Sequence, residues 1–477
     1  MKSKIQAAMC VPFAILSCAP NQKDLQKPNI IFILADDLGY GDLSCYGQQK
    51  FSTPNIDNLA KEGILFTQNY SGCTVSAPSR SSLMTGLHTG HTPIRGNKEV
   101  LPEGQMPLPA DSYTIAELLK TKGYATGAFG KWGLGYPGSE GDPNFQGFDD
   151  FFGYNCQRLA HNYYPYHLWH NQEKVILSEN EGTKTGSYGP DLIHKAALKF
   201  IETNKDKPFF LYYATIIPHA ELFAPEKYME LFRGKLNPEK SFKGVDTGVQ
   251  FRQGGYGSQP ESHAAFAAMI HLLDVQVGEL MVKLKELNLE KNTLIIFSSD
   301  NGPHKEGGGD PDYFNSNGGL RGYKRDMYEG GIRVPMLAWW PGHIKAGTRT
   351  DHLTAFWDVM STIADLTGIK TPSENDGISF LPTLLGQKQK QHDYLYWEFH
   401  EMGGKIAVRV GDWKAVKNNI DKVPQGSTEL YDLSSDRGET TDLASKHPEL
   451  VKKMEELMKS SHVPSDSFKY NSEPAIK

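Results

Sequence analysis

Residues 28–37 read Pro-Asn-Ile-Ile-Phe-Ile-Leu-Ala-Asp-Asp. Ile30 to Ala35 are apolar without interruption, and the run stops at two adjacent carboxylates, Asp36 and Asp37. A stretch this short, apolar at every position, predicts a strand buried on both faces, as inside a parallel sheet. Four further runs share this character: Ala125 to Phe129, Phe209 to Ala214, Thr293 to Ser298 and Val334 to Trp340. Helical patterns separate them. Asn55 to Gly63 opens on an N-cap candidate, Asn55, and closes on glycine; Thr114 to Gly123 repeats the arrangement, and Asp191 to Asn204 and His263 to Asn288 are longer. Strands alternating with helices predict an α/β fold, a mostly parallel central sheet covered by helices. From about residue 386 the pattern changes to short alternating strands, Asp393 to Phe399, Lys405 to Val410, Trp413 to Val416 and Glu429 to Leu433, then a helix from Pro448 to Ser460. This predicts a smaller C-terminal α+β subdomain with an antiparallel sheet, residues 386–477, after a main domain of residues 27–385.

The chain of 477 residues is 39% hydrophobic and 22% charged, a balance that excludes a disordered or largely membrane-embedded protein. Its net charge of -6 argues against general electrostatic binding to nucleic acid. The N-terminus has Lys2 and Lys4 before a short apolar stretch, Ala7 to Leu16, and Ile15-Leu16-Ser17-Cys18 resembles a bacterial lipobox. Residues 1–17 are therefore expected to be a lipoprotein-type signal peptide and Cys18 to carry lipid. The protein would then be exported, in the periplasm or anchored to the outer membrane, touching the membrane only through that lipid. No later segment is expected to have the length and apolarity of a span. Cys45, Cys73 and Cys156 would be the remaining thiols, allowing at most one disulfide among them.

In open α/β sheets, ligands bind beyond the carboxyl ends of the strands. Here the first run ends in Asp36-Asp37, the second in Gly130-Lys131-Trp132, the third leads through Pro218 to His219, and the fourth ends in Asp300-Asn301. A lone Asp more often caps a helix. Acid pairs on two strand ends instead predict a converging, oxygen-only set suited to Ca²⁺ or Mg²⁺ rather than Zn²⁺. Between the first two strands, Ser76 stands before a helix that Pro78 can open, with Arg80 four residues on, which makes a cationic, dipole-favoured anion site. No Gly-x-Ser-x-Gly elbow surrounds Ser76, so an ordinary serine triad is not supported and something else must activate this position. Gly302 to Gly322 reads as an ordered active-site loop. Cys156 to His167 is rich in aromatic and hydrogen-bonding side chains, a composition that suits a sugar ring as well as a packed loop. Arg158 and His161 within it, and Arg321, are the candidate substrate contacts.

Ser76-x-Pro78-x-Arg80, followed by Leu83-Met84-Thr85-Gly86, resembles the maturation motif of the type I, formylglycine-dependent sulfatases, arylsulfatase-like members of the alkaline-phosphatase-like superfamily. The resemblance extends over Pro28-Asn29-Ile30 to Asp42, Gly123-Tyr124 to Gly135, Pro218-His219, Ser299-Asp300-Asn301-Gly302, Tyr328-Glu329-Gly330-Gly331-Ile332-Arg333 and Glu429-Leu-Tyr-Asp-Leu433. Any one of these motifs alone would be weak; together and in order they are specific. The resemblance implies that Ser76 is oxidised to formylglycine by a serine-type maturase. Cys73 is not the alternative, because Val75 stands where its proline would have to be. It implies one Ca²⁺ per chain held by Asp36, Asp37, Asp300 and Asn301 with the matured Ser76 nearby. It further implies that Arg80, Lys131, His219 and Lys324 hold sulfate oxygens and assist the leaving alcohol, with Asp300 as base toward the aldehyde hydrate.

One departure stands out: the family's Gly-Lys-Trp-His is here Gly130-Lys131-Trp132-Gly133. His304 or His161 would have to substitute for the missing histidine, unless His304 contacts the sugar. The expected function is hydrolysis of O-sulfate from a carbohydrate, a sulfated glycan or its oligosaccharides. The competing readings are a phosphodiesterase or phosphonate hydrolase of the same superfamily, and a catalytically silent glycan-binding lipoprotein.

Overall fold

A computed structural model describes residues 27–423 and 426–470. The expected signal peptide, residues 1–17, and Cys18, the expected lipid site, lie outside the described residues. In chain order the main sheet contains β1 (Asn29–Ala35), β2 (Ile64–Phe66), β3 (Ala125–Lys131), β4 (Asp150–Tyr154), β5 (His167–His170), β6 (Glu173–Ile176), β7 (Phe209–Ala214), β8 (Thr293–Ser299), β9 (Met336–Trp339) and β10 (Thr348–Thr350). Their spatial order is β10-β2-β9-β8-β1-β7-β3-β4-β5-β6. The central strands β8, β1, β7, β3 and β4 are parallel to one another.

The first apolar run shows why it lies at the centre. Ile31, Ile33 and Ala35 face one core, shared with the helices Gly189–Thr203 and Ser262–Glu286. Ile30, Phe32 and Leu34 face a second core on the other side of the sheet, with Leu83, Ile115 and Met360. Each such side chain removed fully from water contributes about 1.5–3 kcal/mol. None of Ile30 to Ala35 could become polar without loss.

Val334 to Trp340, expected as a parallel strand, forms β9, which runs antiparallel to β8. The segment between them holds only the four-residue helices Pro311–Phe314 and Glu329–Ile332. Without a crossover helix to carry it back along the sheet, the chain re-enters from the edge where β8 ended. The helix α1 (Pro54–Glu62) is preceded by Thr53 as N-cap, not by Asn55. Asn55 lies inside it and donates to Asp274 Oδ2 at 2.8 Å, while Asp274 Oδ1 accepts the Ile56 N–H at 2.8 Å. Ser262–Glu286 is, against expectation, long and apolar enough to cross a membrane, but two thirds of its most apolar stretch is buried in the fold. It is apolar all round because α1 and the helix Gly189–Thr203 pack against it.

The C-terminal strands Leu395–Phe399, Lys405–Val410, Trp413–Asn418 and Glu429–Asp432 form an antiparallel sheet. Its Lys414 Nζ lies 3.0 Å from the buried Glu329 Oε1, which ties this sheet to the Tyr328–Arg333 segment. Cys45, Cys73 and Cys156 are all free thiols.

Candidate active site

Strand register brings the site together. Ala35 pairs with Ser299, Leu34 with Ala214 and Ala214 with Gly130, so four strands end side by side. Gly130 has φ +121°, and a Cβ there would stand 1.8 Å from Ala214 O; glycine lets β3 end against β7 with Lys131 next to the other strand-end residues. Across the β1–β8 junction the Asp37 N–H donates to Asp300 Oδ1 at 3.0 Å, and Asn301 Nδ2 donates to Asp37 Oδ1 at 2.7 Å.

The helix α2 (Ser76–Thr85) lies over this end of the sheet, buried along its whole length. Ser76 is its first residue rather than preceding it. The Ser76 hydroxyl donates to Asp36 Oδ1 at 3.1 Å and accepts from Lys131 Nζ at 3.1 Å; the same ammonium donates to Asp36 Oδ2 at 2.7 Å. One turn on, Arg80 donates to Asp300 Oδ2 through Nε at 3.2 Å and Nη2 at 2.8 Å, and to Lys131 O at 2.6 Å. Asp300 therefore accepts from Arg80 and from the Asp37 N–H, whereas the carboxylate that meets the Ser76 hydroxyl is Asp36.

On the far side, Lys324 Nζ donates to Asp37 Oδ2 at 2.8 Å and lies 3.2 Å from His219 Nε2 and 3.3 Å from Glu306 Oε2. His219 Nδ1 donates to Ala220 O, which leaves its Nε2 lone pair to accept from Lys324. Burial, reinforced by Lys324 and Lys131, holds the His219 imidazolium well below its ordinary range, so the ring is neutral. Burial would also lower Lys324, but Asp37 and Glu306 outweigh it and keep the ammonium above the usual lysine value. For Lys131, burial wins over Asp36 and the shift is downward. Asp300 is raised by burial and by Asp36, against the pull of Arg80 and Lys131. Asp36, Asp37 and Asp300 are matched in number by Arg80, Lys131 and Lys324, all of them buried.

Asn301 Oδ1 is shut off from solvent and has no hydrogen-bond partner among the described residues. A buried amide oxygen left this way costs about 1–3 kcal/mol. It stands with three carboxylates in an all-oxygen set, and that combination fits a hard divalent cation.

Ser76, His219 and Lys324 open onto a cleft of about 300 Å³, together with Arg158 and His161. Arg158 Nη2 donates to Glu99 at 2.9 Å. The His161 ring stacks on His219 with centroids 5.1 Å apart, and its Nδ1 lies 2.9 Å from Gly254 O. Two expected residues are elsewhere. Arg321 donates to Tyr431 OH at 2.8 Å and Glu439 O at 2.7 Å, with its guanidinium 3.8 Å from the centre of the Tyr328 ring. Two aromatic rings and a carbonyl thus hold it at the C-terminal subdomain, away from the cleft. His304 is buried behind His219, its ring 5.8 Å away; its Nε2 donates to Pro218 O at 3.2 Å, and its Nδ1 accepts the Glu306 N–H at 3.1 Å. Both nitrogens are thus engaged, and His304 stands behind His219 and does not line the cleft.

Gly133 has φ +76°, and a Cβ there would lie 2.7 Å from Gln157 Nε2. The space beside residue 133 is thus taken by the Gln157 side chain, whose two amide atoms have no partner among the described residues. Sequence reading also passed over Asn97, Gln253, Tyr256, Glu306 and Arg325, all lining the cleft. Glu306 had one signal, its place two residues beyond His304 in the glycine-rich loop. Residues 250–256 had none.

A family model for sulfatases matches residues 28–369, and one for the N-sulphoglucosamine sulphohydrolase C-terminal region matches residues 321–463. The chain is 33% identical to the N-acetylgalactosamine-6-sulfatase of Rattus norvegicus, covering 82% of this chain and 71% of the relative. It is 30% identical to the N-acetylgalactosamine-6-O-sulfatase of Bacteroides thetaiotaomicron, covering 92% and 94%. Among solved structures, that of Ps i-CgsB in complex with k-i-k-neocarrahexaose superposes with a TM-score of 0.77 at 31% identity, covering 94% of each chain.

Proposed function

The chain belongs to the sulfatase family and is a sulfuric ester hydrolase, and from that premise we propose that it removes O-sulfate from a carbohydrate, through a formylglycine made from Ser76 and a bound Ca²⁺. The observation that carries this reading is the Ser76 hydroxyl, held between Asp36 and Lys131 where it lines the cleft. Asp36, Asp37, Asp300 and Asn301 would hold the ion. With both groups in place, formylglycine supplies the hydroxyl that attacks sulfur, and the cation polarises the sulfate oxygens.

The chain's own residues do the remainder. Because three carboxylates already face three cations, a divalent ion would give the site a net charge of about +2, which attracts a sulfate monoester. Lys131, within 3.1 Å of Ser76 Oγ, is placed to contact both the nucleophile and a sulfate oxygen. Lys324 and neutral His219 stand together on the opposite side, where the ester oxygen departs; Lys324 holds the proton between them. Asp36 Oδ1 accepts the hydrogen bond of the Ser76 hydroxyl, a position from which it can hold that proton without a histidine at 133.

Lys324 also argues against the phosphodiesterase reading. Asp36, Asp37 and His219, and separately Asp37, His304 and Glu306, form groups that could each hold a metal. The Lys324 ammonium, within 3.3 Å of Asp37, His219 and Glu306, fills the space a second ion would need. Similarity to N-acetylgalactosamine-6-sulfatases and to a protein solved in complex with k-i-k-neocarrahexaose supports a sugar substrate. Maturation by a serine-type enzyme, export and attachment through lipid at Cys18 complete the proposal, on sequence alone. The test is sulfate release from a panel of sugar O-sulfates by protein produced with a serine-type maturase. Release that Ser76→Ala lacks is expected; none from fully matured protein would overturn the proposal.

A further inference from the structure

Beside the catalytic cleft lies a second cavity of about 400 Å³, within the ~300–1,000 Å³ range of ligand sites. The two share a wall, Arg158 and Gln253, with the Arg158 guanidinium bound to Glu99 on one side and donating to Gln253 O at 3.0 Å on the other. A molecule lying in the cleft can therefore continue over Arg158 into the second cavity.

The lining of that cavity is cationic. Arg252 is held by Asn180 O at 2.6 Å and Lys184 O at 2.8 Å, which fixes its position, and among the described residues no carboxylate lies within 4.0 Å of it. Lys174 lies 5.0 Å from the centre of the Trp169 ring and has no ion pair among the described residues. The acid in the lining, Glu103, is already engaged, accepting from His167 Nε2 and Trp169 Nε1, both at 2.9 Å. Tyr166 leaves 45% of its surface exposed at this cavity, a flat ring for the apolar face of a sugar.

We infer that this cavity is a subsite for the sugar adjoining the sulfated one, and that it selects a neighbour carrying an anionic group, a uronate carboxylate or a second sulfate. The inference rests on the carbohydrate reading above. An anion there gains the field of Lys174 and Arg252 in a partly enclosed space, whereas a neutral sugar gains only the aromatic contact.

The test compares four substrates carrying the same sulfated sugar: the monosaccharide, and disaccharides with a neutral, a uronate or a second sulfated neighbour. Matured wild type should show kcat/KM about fivefold higher on the anionic disaccharides than on the neutral one, with the advantage shrinking as salt is added. Whether one or both anionic disaccharides gain it identifies the group. In Lys174→Glu, whose side chain is exposed and lies only over the Trp169 ring, the loss on the preferred disaccharide should exceed the loss on the monosaccharide by about five- to tenfold. Equal kcat/KM across the disaccharides, or equal losses in the variant, would overturn the subsite and leave the carbohydrate reading standing. Turnover of an aryl sulfate with none of the four sugars would overturn both.

Discussion

Replacing Arg80 by methionine keeps most of the side-chain volume and removes one charge from the centre of the site. Arg80 and Asp300 are both 0% exposed, and the guanidinium makes two hydrogen bonds to Asp300 Oδ2, one to Lys131 O, and approaches Asp36 Oδ1 to 3.5 Å. Removing one partner of such a pair leaves a buried carboxylate uncompensated, a loss of about 3–5 kcal/mol. At a denaturant slope of about 3 kcal/mol/M, this lowers the urea midpoint by roughly 1–1.7 M. The charge balance adds a second expectation. Without Arg80, three carboxylates face two lysines, so the variant gains more from calcium than the wild type does. Urea unfolding of both proteins with a chelator, and again with millimolar Ca²⁺, measures this. The deficit should be large in chelator and smaller in calcium. A deficit below about 1 kcal/mol in chelator, or one that calcium does not change, would refute the reading of Arg80 as the counter-charge of the metal carboxylates.

Gly133→Ala should destabilise the protein by about 1–2 kcal/mol, because alanine at φ +76° is strained and its Cβ would press on Gln157; an unchanged melting temperature would contradict the close approach. Chelation should abolish sulfate release while leaving the far-ultraviolet circular dichroism spectrum intact, since the site's own cations already balance its carboxylates; unfolding on chelation would contradict that balance. Burial lowers His392, but Asp358, whose Oδ1 is 2.8 Å from its Nε2, outweighs it and raises the folded value above the unfolded one near 6.5. Its contribution is therefore full at low pH and fades as pH rises through the folded value. His392→Gln should accordingly lower the melting temperature more at pH 5.5 than at pH 8.5, and equal losses at the two pH values would show that the charge contributes nothing.

The central sheet was legible because β1, β3, β7 and β8 are covered on both faces, and burial on both faces leaves unbroken apolar runs. The edge strands were not. Glu173–Ile176 has exposed positions and polar side chains, and Ile64–Phe66 is too short to show a period. The direction of β9 depends on whether a crossover helix precedes it, which composition does not record. The site divides along the same line. Asp36, Asp37, Lys131, Asp300 and Asn301 sit at or just beyond the ends of readable strands, so their convergence followed from topology. Glu306, Tyr256 and Gln253 come from loops whose path is set by tertiary contacts. Arg321 was misplaced because only two residues separate it from Lys324, yet within that distance the chain turns from the Tyr431 side of the molecule into the cleft.

The account turns on the chemical state of residue 76. Protein made in an anaerobic bacterium, or together with a serine-type maturase, would be digested and the peptide containing Ser76 weighed. Loss of two hydrogens, with capture by an aldehyde-reactive hydrazide, is the predicted result. Unmodified serine in a preparation that nevertheless releases sulfate at full rate would contradict it.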